Sequence, residues 1–193
     1  SKIINKYFFI FIVISIIIVG IYMRVGGYFN YCNGFWVDEA QVARHLSGQD
    51  GLSQSILKYG SARPLGFLIL SKIIILVSNT ELSLRLLSLI PSILILFISM
   101  YLAKQLFSSK LTYILFISMI SFNPWFISYA KDYKHYQLEV FLHFAILCLF
   151  VIYLKKRNIP SLIFLLIATI TSPLFGTNIV FIYPFIYSYL FLS

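Results

Sequence analysis

The sequence predicts an all-α membrane protein, a bundle of about six transmembrane spans with a long first external loop that carries short interfacial helices. Two observations predict this class. First, 60% of the 193 residues are hydrophobic and only 11% are charged, against about 45–50% apolar and about 25% charged in soluble domains. Second, the apolar residues fall into seven runs: Tyr7–Met23, Leu65–Val77, Leu84–Ala103, Leu111–Ile127, Leu138–Leu154, Ser161–Phe175 and Ile179–Leu192. A helix crossing a bilayer perpendicularly needs about 20 apolar residues. The formal net charge of +9 fits head-group anchoring and topology control. No basic helix or glycine-rich basic arm accompanies it, so no nucleic-acid partner is expected.

The first run follows Lys2 and Lys6. A signal peptide shows the same order, but no small-x-small cleavage site follows, so this run reads as a retained first helix. Arg24-Val-Gly-Gly27 is expected to end it. The second run, Leu65–Val77, is short for a span and contains Lys72, and its status decides the topology. If it lies along the interface, Lys2/Lys6, Lys104/Lys110 and Lys155-Lys156-Arg157 all face the cytoplasm, as basic loops should. Asp38, Glu39, Asp50, Glu81, Asp132 and Glu139 then face outward. If it spans, the Lys155-Lys156-Arg157 cluster faces out. The first arrangement is preferred. It makes residues 24–83 one external loop and puts Asp38 and Asp132 on the same face of the membrane.

Within that loop, Asn33-Gly34 is turn chemistry. Val37–Leu46 reads as a short amphipathic helix with Val37, Ala40, Ala43 and Leu46 on its apolar face. Gly48–Ser53 breaks it, and Arg63-Pro64 opens the interfacial helix. Pro91, Pro173 and Pro184 are expected to kink or end helices. Cys32 and Cys148 lie in different environments and lack metal-type spacing, so neither a disulfide nor a metal site is expected of them.

The candidate functional residues cluster in two polar stretches. Asp38 and Glu39 fall in the first turn of a helix, where carboxylates suit the positive helix end. Adjacent helical residues point about 100° apart, so the two carboxylates should do different jobs. Asp38 is the better candidate for a general base, and Glu39 for support or metal binding. Trp36 is either an apolar wall for a sugar or an interfacial anchor. The second stretch is Tyr129-Ala-Lys-Asp-Tyr-Lys-His-Tyr136. Here Asp132, Tyr136 or His135, Glu139 and His143 follow one helical stripe, and ionisable residues entering a membrane normally face a cavity or a bundle interior. Lys134 and the tyrosines also suit an ordinary interfacial belt. Arg63 and Lys72 either snorkel or hold a lipid phosphate, with Arg63 the better candidate because Pro64 fixes its direction. Arg85 should pair with Glu81 four residues earlier. His45 reads as a polar surface residue.

Four segments in this order resemble the membrane glycosyltransferases of the GT-C fold, in the bacterial branch near protein O-mannosyltransferases and aminoarabinose transferases. They are Phe35-Trp-Val-Asp-Glu-Ala-Gln-Val-Ala43, Arg63-Pro-Leu-Gly-Phe-Leu-Ile-Leu70, Glu81-Leu-Ser-Leu-Arg-Leu-Leu-Ser88 and Asn123-Pro-Trp-Phe-Ile-Ser-Tyr-Ala-Lys-Asp-Tyr-Lys-His-Tyr136. Ser172 stands where related members often carry a histidine. The resemblance implies one transmembrane domain over residues 1–193, the N-terminal part of a longer transferase with further spans. It also implies inverting transfer of a sugar from a polyprenyl-phosphate-linked donor to a glycan, lipid or protein acceptor at the outer face of the plasma membrane. Asp38, Glu39 and Asp132 would be the catalytic residues, and Trp36, Arg63, Lys134 and Tyr136 would bind substrate. A divalent ion at Glu39 or Asp132 is compatible with the resemblance, and no cofactor is implied with certainty. The alternative reading is a non-enzymatic membrane protein: a lipid flippase, a transporter or an inactive transferase remnant. A transporter should carry ionisable residues at its midplane, whereas the acids here cluster at one face.

Overall fold

In a bilayer every backbone N–H and C=O must be satisfied internally, which leaves helices as the natural form for long apolar runs. The computed structural model describes residues 2–29 (with side chains from residue 7), 34–48, 54, 63–78 and 80–192, and every regular element among them is helical. Cys32, Asn33, Asp50, the 49–53 breaker, Ala62 and the side chains of Lys2 and Lys6 lie outside the described residues.

The helices are α1 (Lys2–Phe29), α2 (Val37–Ser47), α3 (Leu65–Val77), α4 (Glu81–Leu106), α5 (Lys110–Ser121), α6 (Pro124–Tyr129), α7 (Tyr136–Lys156), α8 (Ile159–Thr171) and α9 (Tyr183–Leu192). Two 3₁₀ turns, Ser172–Leu174 and Asn178–Ile182, join α8 to α9. Three segments are long and apolar enough to cross a membrane: Tyr7–Phe29, Glu81–Leu106 and Tyr136–Lys156. Four shorter apolar helical segments accompany them.

Local chemistry sets most of the boundaries. Thr80 and Ser83 cap the start of α4 reciprocally, each side-chain oxygen accepting the other residue's backbone N–H. The Asn123 side chain accepts the N–H groups of Trp125 and Phe126 at 2.9 and 3.1 Å, with Pro124 in the first helical position. The Asn158 side chain accepts from Ser161 at 3.1 Å to start α8. At the end of α7, Arg157 takes a left-handed conformation, φ 44°, a stop that usually falls to glycine.

Several expectations change. The first helix does not end at Arg24; it runs to Phe29. Arg24 is fully buried, donating to Ser92 Oγ (2.8 Å) and to the carbonyls of Gly20 (2.8 Å), Ser121 (2.9 Å) and Ile120 (3.1 Å). It thereby satisfies the open C-terminal carbonyls of α5 and ties that end to α1 and α4. The Leu111–Ile127 run is not one helix, because the chain breaks at Phe122-Asn123 and restarts as α6. Pro91 interrupts nothing: it lies buried inside a continuous α4. Pro173 sits in the 3₁₀ turn that closes α8, and Pro184 in the first turn of α9.

Charge sorts the two ends of the bundle. At one end Lys155 Nζ donates to the Gln105 side chain, and Lys110 Nζ stands 5.4 Å from the centre of the Phe9 ring. Arg157 donates to the Tyr189 hydroxyl at 2.9 Å. At the other end Tyr28 donates to the Leu82 carbonyl (2.5 Å), Ser88 to the Lys134 carbonyl (2.8 Å), and Asn178 N–H to Glu139 (2.5 Å). The three helices long enough to cross a membrane, α1, α4 and α7, thus run between a basic end and an end that holds the described acids. Helix α3 buries Gly66, Phe67, Leu68 and Ser71, and its contacts with α2 and the Tyr133 loop roof the acidic end. Gly66 permits this: a Cβ there would stand 2.5 Å from the Phe175 ring and 2.8 Å from the Leu174 carbonyl oxygen.

Candidate functional site

Helix α2 presents two carboxylates on different sides. Its buried face is Glu39, Val42 and Leu46; of the expected face Leu46 is buried and Ala43 packs against the same core, while Val37 is exposed. Burying Glu39 turns its neighbour Asp38 outward, where it is 59% exposed. Two cations meet the same Asp38 oxygen, Oδ2: Arg63 Nη2 at 3.4 Å and Lys134 Nζ at 3.5 Å. Arg63 is buried. Its other nitrogen, Nη1, donates to the Tyr133 carbonyl at 3.0 Å, and its guanidinium lies 5.9 and 5.7 Å from the ring centres of Phe67 and Tyr133. Arginine binds such a setting well, because its planar head stacks on rings while keeping donors free. Asp38, Gln41, Arg63, Lys134, His135 and Tyr136 line a cavity of about 270 Å³ above this cluster.

Next to the cavity residues Asp38 and Arg63 lies a layer of buried charge around Glu39 and Arg85. Glu39 accepts the Trp36 N–H at 3.3 Å, and its Oε2 stands 3.9 Å from Arg85. Arg85 donates to Glu81 at 2.7 and 3.0 Å, to the Gly34 carbonyl at 2.8 Å and to the Lys131 carbonyl; its guanidinium is 5.2 Å from the Phe35 ring centre. One arginine therefore joins the start of α4 to both polar loops. Burial raises the Glu39 carboxyl above its ordinary value, against the Trp36 N–H and Arg85, which lower it. Burial likewise raises Asp132, opposed by Lys134, Arg85 and Lys131. It pushes the Tyr133 phenol up to about 12 and holds His135 below its usual range.

The structure therefore brings together Asp38, Arg63, Lys134 and Tyr136 of the expected residues. It does not place Asp132, Glu39 or Trp36 on the cavity. Asp132 is buried and Trp36 is exposed, and neither lines the cavity. Of the expected helical stripe only Tyr136, Glu139 and His143 share a helix, because α7 begins at Tyr136 and Asp132 precedes it. Instead Glu139 turns to the 3₁₀ segment, accepting from Asn178 N (2.5 Å) and Nδ2 (3.4 Å) and packing on Gly176, while His143 Nδ1 meets the Glu139 carbonyl at 2.9 Å. Lys72 donates to the Leu46 carbonyl at 2.5 Å, fastening α3 to the end of α2. Ser172 is buried with its Oγ 2.6 Å from the Tyr183 hydroxyl.

Gln41 is a site residue that sequence reasoning did not single out, and His135, named there only as the alternative to Tyr136, also lines the cavity. Gln41 follows Asp38 by three, the spacing that shares a helix face, so periodicity could have found it. Among the described residues no group of three or more His, Cys, Asp or Glu side chains stands together. Glu39 and Asp132, the pair offered to a divalent ion, have Arg85 and Lys134 among their neighbours.

No protein-family model, curated protein or solved structure matches the chain.

Proposed function

We propose that the chain is a glycosyltransferase of the GT-C type, with six membrane passes and the Asp38 cavity at the outer face of the plasma membrane. It moves a sugar from a polyprenyl-phosphate-linked donor to an acceptor hydroxyl. The observation that carries this reading is the exposed Asp38 carboxylate, held at 3.4 and 3.5 Å by Arg63 and Lys134 on a cavity at the acidic end. Before donor arrives, Asp38 is the shared counter-ion of both cations. A donor phosphate competes for them and frees the carboxylate.

The step balances as follows. The acceptor O–H passes its proton to Asp38, and its oxygen bonds to the sugar C1 from the side opposite the phosphate. The C1–O bond to phosphate breaks with its electron pair on the phosphate oxygen, so the anomeric configuration inverts and polyprenyl phosphate leaves. Arg63 and Lys134 offset the charge that grows on that oxygen, the kind of preorganised stabilisation that gives the largest catalytic effects. Both cations hold Oδ2, which leaves Oδ1 toward the acceptor proton, as a general base requires. Tyr136 and Gln41 are placed to bind sugar hydroxyls. Asp132 and Glu39 act indirectly, by fixing Lys134 and the first loop. No metal ion enters this step. A donor on the outer face cannot be a nucleotide sugar made inside the cell, which favours a lipid carrier.

The test is turnover by the purified full chain in liposomes, against a panel of hexosyl and pentosyl polyprenyl phosphates with soluble and lipid acceptors. Release of polyprenyl phosphate coupled to glycosylated acceptor is expected from at least one donor. Correctly inserted protein that consumes none of the panel contradicts the proposal.

A further inference from the structure

The basic end carries a second pair of cavities that sugar transfer does not use. One, of about 240 Å³, is lined by Phe9, Lys104, Phe107, Ser109, Lys110 and Tyr113. The other, of about 400 Å³, has no polar lining; Leu102, Leu106, Phe116, Phe144, Leu147 and Phe150 form its walls. The two adjoin. Leu106 and Phe107 are consecutive, and the Phe107 ring of the first cavity packs on the Phe116 ring of the second with centres 5.5 Å apart. Lys155, one residue beyond the Leu154 wall of the apolar groove, is fixed to Gln105.

Charge and length both select an occupant. Every described acid lies at the opposite end: Asp38, Glu39 and Glu81 around Arg63 and Arg85, Asp132 beside Lys134, and Glu139 against Asn178. The lysines of the basic end therefore face the bilayer surface with no described carboxylate near them. The Ser109 side chain accepts no amide of α5, so that helix start adds its own positive end. The groove follows α7 from Phe144 to Leu154, roughly 15 Å at 1.5 Å per residue. That is about half the hydrocarbon thickness of a bilayer, the reach of one acyl chain from head group to midplane. An apolar groove facing lipid does not select a lipid by itself, because tails are as apolar as leucine. The lysines supply the selection.

We propose that the basic end binds one anionic phospholipid, its phosphate between Lys104 and Lys110 and one acyl chain in the groove between α4, α5 and α7. The site is independent of sugar transfer and rests on the chain crossing a bilayer. Its role is to fix the α4–α5 turn and α7 at the end opposite the cavity.

Titration of the detergent-purified full chain, read by native mass spectrometry, tests it with phosphatidylglycerol and phosphatidylcholine of identical chains. Phosphatidylglycerol should bind about 25-fold more tightly. Lys104→Gln and Lys110→Gln should each weaken it about fivefold and leave phosphatidylcholine unchanged. Lys156→Gln, outside both cavities, should change neither. Leu147→Trp, which fills the groove, should weaken both lipids. Equal affinity for the two lipids overturns the proposal, as does an unchanged Lys104→Gln/Lys110→Gln double variant. Inorganic phosphate or glycerol 3-phosphate binding as tightly as phosphatidylglycerol also overturns it, since the groove would then contribute nothing. Wild-type circular dichroism in each variant confirms that loss of binding is not loss of fold.

Discussion

Asp38 and Glu39 are chemically near-identical neighbours set in opposite environments, one exposed between two cations and one buried above Arg85. Their division follows from helix geometry and was legible in the sequence. That Asp132 would join Glu39 off the cavity was not, because it depends on α7 starting only at Tyr136. Glu39→Gln should keep the Trp36 hydrogen bond while removing a buried charge. Because burial raises the Glu39 carboxyl, the folded state binds its proton more readily than the unfolded state. That contribution to stability therefore falls as pH rises above the ordinary carboxyl range of 4.5. The glutamine variant should show a flatter melting profile from pH 4.5 upward, measured by thermal unfolding in detergent. His135 has the opposite sign. Burial lowers its pKa below 6.5, so the unfolded chain takes up the proton first and stability is lost as pH drops through 6.5. His135→Gln should remove that loss, a difference visible between pH 7 and pH 5.5.

At the scale of elements, the apolar runs located most helices, and Asn123, Asn158 and Thr80 explain the starts that the runs left vague. Arg24 misled because an arginine followed by two glycines resembles a helix end. Its real partners, Ser92, Ile120 and Ser121, are far away in sequence, and only the folded bundle reveals them. Helix α3 was expected from its own composition, but its fit was not, since nothing local tells Gly66 that Phe175 will lie against it. Gly66→Ala should destabilise the chain by about 1–3 kcal/mol through overpacking, read as a lower melting temperature. Because α3 begins beside Arg63, transfer activity should fall with it. Gly26→Ala, inside α1 and meeting nothing within 4 Å, is the matched control and should leave activity unchanged while raising stability by up to about 1 kcal/mol.

For the whole molecule, the sorting of charge between two ends is the feature most fully readable from sequence. Helical segments must carry the described acids to one end, and Lys104, Lys110 and the 155–157 cluster to the other, for that sorting to appear, while Lys72, Lys131 and Lys134 stay with the acids. Cysteine labelling checks the orientation. In a chain with Cys32 and Cys148 replaced by serine, Trp36→Cys should react with an impermeant maleimide in intact cells. Lys156→Cys should react only after the membrane is opened. Labelling of both from one side would remove the six-pass arrangement and the outer-face cavity together. The most direct measurement of the central claim is single-turnover transfer by Asp38→Asn beside wild type, once a donor has been identified. The account predicts that the asparagine variant inserts, binds donor through Arg63 and Lys134, and transfers about 10²–10⁴-fold more slowly, the usual loss for a general base. Transfer at the wild-type rate by that variant would contradict it.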